Sequence, residues 1–219
     1  MKKIISEYKH YLTQKTFRRS FIIGLFFLAA SLIVNHLSSI YVDHKAGAYV
    51  QDIFLDNLPV VNVDDILNEG VILYSLFATF FVIVKPRRIP FILKSLAFFI
   101  FIRAIFTMLT HLGPAPNQTY LNPDDLLVRL SAGSDMFFSG HTGMPFLIAL
   151  IFWNENNLVR YVSLVASIVF GTSVLLGHLH YSIDVFAAFF ITYAIYKMSE
   201  KFFAKDHASF KKDKPLQIA

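Results

Sequence analysis

Apolar residues in this chain gather into six long blocks, at roughly 20–41, 70–85, 91–112, 137–153, 160–178 and 182–198, parted by polar stretches. A helix needs about 20 largely apolar residues to cross a bilayer core of about 30 Å. Blocks of this length predict an all-α fold: a polytopic membrane protein built as a six-transmembrane-helix bundle.

The polar stretches divide the chain. Residues 1–19 set Ile4, Ile5, Tyr8, Tyr11 and Leu12 against lysines and arginines. Such an amphipathic lead suits either an anionic leaflet or a solvated tail. Residues 42–69 are acidic and carry Asp56-Asn57-Leu58-Pro59, and Lys85-Pro86-Arg87-Arg88 is a basic turn. Gly113-Pro114-Ala115-Pro116 ends the third block, because neither proline continues a helix easily. It opens a second long connection, 113–136. Residues 201–219 read as a lysine-rich tail, and 20–200 as one helical domain.

Charge orients the blocks. Seventeen of the 20 Lys and Arg fall on one side: the N-terminus, the 85–94 and 154–160 turns, and the C-terminus. The positive-inside rule then places both termini in the cytoplasm. The opposite side is acidic, with Asp43, Asp52, Asp56, Asp64, Asp65, Glu69, Asp124, Asp125 and Asp135. The net charge of +5 is therefore a topology signal, and nothing suggests a nucleic-acid partner. No small-residue cleavage signature follows the first apolar run, which reads as a retained span. With no cysteine, disulfides, thiolate nucleophiles and cysteine metal sites are excluded.

Two polar segments sit where apolar blocks begin: Ser139-Gly140-His141-Thr142 and His180-Tyr181-Ser182-Ile183-Asp184. Ionisable groups at such places are costly and ask for a function. His180 and Asp184 are four apart, so a helix puts them on one face. The carboxylate can then hold Nδ1 and leave Nε2 as nucleophile or base. The structural reading is a His–Asp pair capping a helix. Ser139 is a good N-cap, glycine admits a ligand close to the backbone, and a helix start attracts anions. His141 beside it could protonate a leaving oxygen; the structural reading is an ordinary cap with a nearby histidine. The six-span topology brings His141, His180 and Asp184 to the same outer boundary.

Arg103 lies mid-way along the third block, and binding phosphate or a partner within the bundle both fit it. Asp135 could orient a loop or a substrate amine, or act as a helix N-terminal charge. His178, His36, His44 and His111 read as structural or interfacial. Two histidines and a carboxylate also suit zinc, so spacing leaves a metal site open.

Gly133-Ser134-Asp135-Met136-Phe137-Phe138-Ser139-Gly140-His141-Thr142 resembles the third signature of sphingomyelin synthases, where Cys-Gly-Asp precedes Ser-Gly-His-Thr. His180-Tyr181-Ser182-Ile183-Asp184-Val185 resembles their fourth. Arg103, Thr107, Thr110, Leu112 and the 113–116 stretch look like a looser second signature. Leu58-Pro59 with Asp64 or Asp65 faintly echoes the first. The resemblance spans roughly 50–200 and lies within the type-2 phosphatidic acid phosphatase superfamily. The phosphatases there carry a Lys-to-Arg-Pro motif, a proline before Ser-Gly-His and a Ser-Arg pair. This chain has Phe138 and Ser173-Val174 at the last two places and no matching Lys-to-Arg-Pro segment. Gly133-Ser134 replaces Cys-Gly, and Phe189 stands where the synthases tend to have tyrosine.

The resemblance implies a phosphotransferase that moves phosphocholine or phosphoethanolamine from a glycerophospholipid to a lipid alcohol, ceramide or diacylglycerol. His180 would form a phosphohistidine, oriented by Asp184, with His141 as acid and then base. Ser139, Gly140, Thr142, Asp135, Arg103 and Tyr181 would line the substrate, with no metal or other cofactor. The partners are membrane lipids, and a homo-oligomer stays open. The site faces the extracytoplasmic side of an integral membrane protein. A lipid phosphate phosphatase using water is the rival enzyme, and a lipid transporter or scaffold the non-catalytic rival.

Overall fold

The computed structural model describes residues 2–45, 47–115, 117–119 and 137–211. Among these every regular element is helical: α1 (Lys2–Thr13), α2 (Lys15–Asp43), α3 (Val71–Ile83), α4 (Ile89–Leu109), α5 (Gly140–Ile151), α6 (Asn157–Leu176), α7 (Ser182–Phe202) and α8 (Ala204–Phe210). A π turn, Ile66–Gly70, runs into α3, and a 3-10 turn, Pro86–Arg88, runs into α4. The six apolar blocks map in order onto α2 to α7. The amphipathic lead is not one piece: Gln14 is extended (φ −78°, ψ 118°), so α1 turns away from α2. Tyr8 ties α1 to the end of α3 by donating to the Ile83 carbonyl at 2.9 Å.

Four stretches are long and apolar enough to cross a membrane: Lys15–Asp43, Ile66–Ile83, Pro86–Leu109 and Asn157–Leu176. They fit an integral membrane protein. Helix α5 has 12 residues, about 18 Å at 1.5 Å per residue, well short of the roughly 30 Å core. Helix α7 has 21 residues but carries Asp184, Lys197, Glu200 and Lys201. The expected six crossings are thus four by length and hydropathy, plus two helices in the right order that miss that measure.

Helix α2 packs inside-out relative to a helix of a water-soluble bundle. On α2 the small residues Gly24, Ser31 and Ser38, seven apart, are buried, while Phe26, Ile33 and Leu37 are exposed. A Cβ on Gly24 would stand 3.2 Å from Leu93 Cβ, which shows how closely α2 approaches α4. Small residues inside and large ones outside are what lipid, rather than water, selects.

The main core joins α4, α5, α7 and α8 through Phe91, Phe99, Phe138, Leu147, Phe152, Ile195 and Phe210. Below it lies an ionic end. Lys94 meets Asp206 at 2.6 Å, Ser20 bridges the two, and Arg88 meets Glu155 at 3.3 Å. The expected tail therefore begins as a docked helix: α8 buries Phe210 against Phe91 and Phe152 and presents Asp206 to Lys94.

At the opposite end the connections are sewn together. Gly47 N–H donates to His111 O at 2.9 Å, Val61 N–H to Leu176 O at 2.9 Å, and Thr119 N–H to Gly177 O at 2.9 Å. The His178 ring lies 3.2 Å from Leu58 O. The two polar motifs sit at this end.

Candidate active site

The start of α5 is built by side chains gripping backbone. Ser139 is the N-cap: its Oγ accepts from Thr142 N–H at 3.4 Å and from Thr142 Oγ1 at 3.2 Å. Ser167 on α6 donates to Thr142 O at 2.7 Å. From α4, Arg103 Nε donates to Phe138 O at 2.8 Å. One turn on, Thr107 Oγ1 donates to Phe137 O, also at 2.8 Å. The Phe138 ring is buried edge-on to Phe99. The segment entering the motif is therefore held at two successive carbonyls and one ring.

The start of α7 uses its own acid. Asp184, the third helical residue, is fully buried and reaches back to accept from Tyr181 N–H at 3.0 Å. The same Oδ2 lies 3.4 Å from His180 Nδ1. A catalytic hydrogen bond of that length in an unliganded site commonly tightens when substrate binds. With Nδ1 facing the carboxylate, Nε2 is the nitrogen left for chemistry.

One backbone bond joins the two motifs: Ser139 N–H donates to Asp184 O at 3.1 Å. The His141 and His180 rings then face each other, centroids 6.3 Å apart and 65° between planes. Arg103 reaches the same place. Helix α4 ends at Leu109, six residues or about 9 Å beyond it. A Cβ on Gly140 would lie 3.4 Å from Arg103 Nε and 3.8 Å from Cζ. The guanidinium therefore flanks the Ser-Gly-His turn.

The structure thus gathers His141, His180, Asp184, Gly140 and Arg103. Ser139, Thr142 and Tyr181 are also there, with their hydroxyls engaged by the protein. Tyr181 Oη donates to Gly113 O at 2.9 Å and accepts from Val50 N–H at 3.1 Å. Asp135 lies outside the described residues. Among the described residues no group of three His, Asp or Glu gathers to hold an ion, so the zinc alternative gains nothing from the geometry.

Two contributors were not singled out from the sequence. Thr107 carried only the loose second signature, and Asp52 was one acid among many. Asp52 Oδ2 accepts from both Ser182 N–H and Ser182 Oγ at 2.8 Å. A contact between residues 130 apart leaves no local spacing to read.

An imidazole with a carboxylate behind it, a facing histidine and a guanidinium beside a helix start are an arrangement that suits displacement at phosphorus. No curated protein and no solved structure matches the chain. Residues 133–201, which include both motifs, match the family model PAP2 superfamily C-terminal. The match covers 69 of the 219 residues; this segment is similar to the type-2 phosphatidic acid phosphatase superfamily, which supports a phosphatase or phosphotransferase reading.

Proposed function

We propose that this protein is a sphingomyelin synthase-like phosphotransferase, moving a phospho-head group from a glycerophospholipid to a lipid alcohol at the extracytoplasmic face. The carrying observation is the facing pair His141 and His180, centroids 6.3 Å apart, with Asp184 behind His180 and Arg103 beside the turn. Two imidazoles this close can address one phosphoryl group, one at phosphorus and the other at the leaving oxygen.

In the first half-reaction His180 Nε2 attacks phosphorus and the bond to the diacylglycerol oxygen breaks. His141, as imidazolium, gives that oxygen its proton, leaving diacylglycerol and a phosphohistidine. In the second, the acceptor hydroxyl loses its proton to His141 and attacks phosphorus. The N–P bond breaks, and both histidines return to their starting states. Arg103 and the first amides of α5, which a helix start leaves without intrahelical acceptors, balance charge on the phosphoryl oxygens.

Transfer is favoured over hydrolysis by what stands around the motifs. Phe138 and Val174 occupy places where the phosphatases carry proline and arginine. Incubating purified protein with labelled phosphatidylcholine or phosphatidylethanolamine, with and without ceramide or diacylglycerol, tests the reading. A new head-group lipid that forms only with the acceptor supports transfer. Free phosphate or phosphocholine from wild type, independent of acceptor, makes it a hydrolase. Full turnover by His180→Ala removes the nucleophile assignment.

A further inference from the structure

We infer that Asp52 is a positioning residue for the His180–Asp184 pair and acts through Ser182; this rests on His180 being the nucleophile. Asp52 belongs to the acidic connection between α2 and α3, yet it is only 8% exposed. Its Oδ1 accepts from Phe54 N–H at 2.9 Å and Leu55 N–H at 3.2 Å, closing a turn in its own loop. Its Oδ2 takes both the amide and the hydroxyl of Ser182 at 2.8 Å.

Ser182 is the first residue of α7, so its amide is one that the helix cannot satisfy internally. The residue ahead of it, Tyr181, has no short acceptor to offer. Two carboxylates divide the task. Asp184 takes the Tyr181 amide, and Asp52 takes the Ser182 amide from across the molecule.

This matters because the His180–Asp184 pair straddles the join between turn and helix. Asp184 is inside the first turn of α7, and His180 lies two residues before it. If that first turn loosens, the carboxylate and the imidazole part. The same strap holds twice: Val50 N–H donates to Tyr181 Oη, and Asp52 grips Ser182. The two residues that follow His180 are both held by the first connection.

Two variants separate positioning from general stability. Ser182→Pro removes both donors to Asp52. Proline is tolerated at the first helical position, and Tyr181 already has the extended backbone (φ −70°, ψ 156°) that a residue before proline needs. Asp52→Asn keeps the shape but has one acceptor oxygen for four donors. Asp56→Ala is the control. Asp56 accepts from Asp52 N–H at 3.1 Å, so its loss loosens the same loop while sparing Ser182.

The measurements are kcat and KM for transfer from labelled phospholipid, the single-turnover rate of phosphohistidine formation, and the His180 imidazole signal by NMR. Displacements near 1 Å cost about a hundredfold in rate. Ser182→Pro and Asp52→Asn are each expected to slow phosphohistidine formation about 10- to 100-fold with little change in KM. They should also shift the His180 signal, and the double variant should be no worse than the worse single one, since both remove one contact. Asp56→Ala should stay near wild type. An unshifted His180 signal, or folded variants within about twofold of wild-type turnover, overturns the inference. So does a double variant whose losses multiply. An active His180→Ala overturns the underlying reading instead, and the NMR comparison needs no substrate at all.

Discussion

Asp184 shows how a buried acid is kept in place and given work. An unpaired carboxylate at the centre of a spanning helix costs about 2.5–3.5 kcal/mol on insertion scales, an upper bound for one at a helix start. A hydrogen bond to a charged group returns about 1.5–3 kcal/mol, and a helix N-terminus adds about 0.3–1. The Tyr181 amide and the α7 start therefore offset much of the cost before His180 contributes, while Oδ1 is buried without a hydrogen-bond partner among the described residues. Asp184→Asn can keep the Tyr181 bond but not the charge that orients the imidazole. Transfer should fall about 10²- to 10⁴-fold while the melting temperature moves little. Two glycines in the first turn of α5, Gly140 and Gly143, should part company. At Gly140 an added Cβ meets only ordinary contacts, the nearest being Arg103. Gly140→Ala should thus fold as well as wild type, yet fill the ground beside the guanidinium and lose activity. At Gly143 an added Cβ would come within 2.8 Å of the Phe99 ring and Thr192 Oγ1, so Gly143→Ala should lower stability. Melting curves and turnover on the same preparations distinguish them. Asp52 supplies the pH dependence. Burial raises its carboxyl pKa, but hydrogen bonds from Ser182, Leu55 and Phe54 outweigh that and hold it below the usual carboxylate range. A depressed folded value contributes stability above the unfolded value, near 3.9, and loses it as pH falls through the folded one. Below about pH 4 the melting temperature of wild type should drop more steeply than that of Asp52→Asn.

Elements were legible where their cause is local. Six apolar blocks became α2 to α7, because length and hydropathy act through neighbours in sequence. The start of α5 was readable from Ser139, and the His180–Asp184 pairing from its spacing, but not as one helix face: His180 lies before α7 and meets Asp184 across the turn that enters the helix. Helix α8 was not readable. Residues 204–210 look like a polar tail, and only Phe210 hints at burial. What docks α8 is Lys94, more than a hundred residues away, meeting Asp206 through a gap that Ser20 also fills. The break at Gln14 was equally silent, since no proline or glycine marks it. Removing Asp206 leaves Lys94, 10% exposed, with a buried charge and a lost partner. Asp206→Ala should destabilise the protein by about 3–5 kcal/mol. Adding Lys94→Met should recover much of that, because a buried pair replaced as a pair is often neutral. Thermal unfolding of the two variants in one detergent checks the order. Helix α1 carries its own test. If Ile5 and Leu12, both exposed, face an interface, binding of an α1 peptide to anionic vesicles should exceed that to neutral ones and weaken with salt.

At the scale of the whole molecule the contacts constrain how often the chain crosses. With only the four long apolar stretches crossing, the connection after α2 and the turn before α7 would lie on opposite sides of the membrane. Yet Asp52 meets Ser182 and Leu58 meets His178, so both belong to one end. The 110–119 connection joins that end through Gly47 with His111 and Thr119 with Gly177. Glu155 belongs to the other end, with Arg88, as does Asp206 with Lys94. Ser139 lies at the first end, bonded to Asp184 O, and Glu155 at the other, so among the described residues α5 covers the passage between them. Helix α7 returns it to the ionic end in the same way. A six-crossing reading accommodates these contacts, whereas a four-crossing one does not. A chain with no cysteine makes the test direct, since any introduced thiol reports alone. Single cysteines at the exposed positions Asn57, His111, Asn154 and Lys205 can be labelled with a membrane-impermeant reagent on intact cells, then again after permeabilisation. Labelling at 57 and 111 from outside, with 154 and 205 only after permeabilisation, is expected. If 111 and 154 label from the same side, α5 does not cross, and the motif at its start cannot share a membrane face with His180.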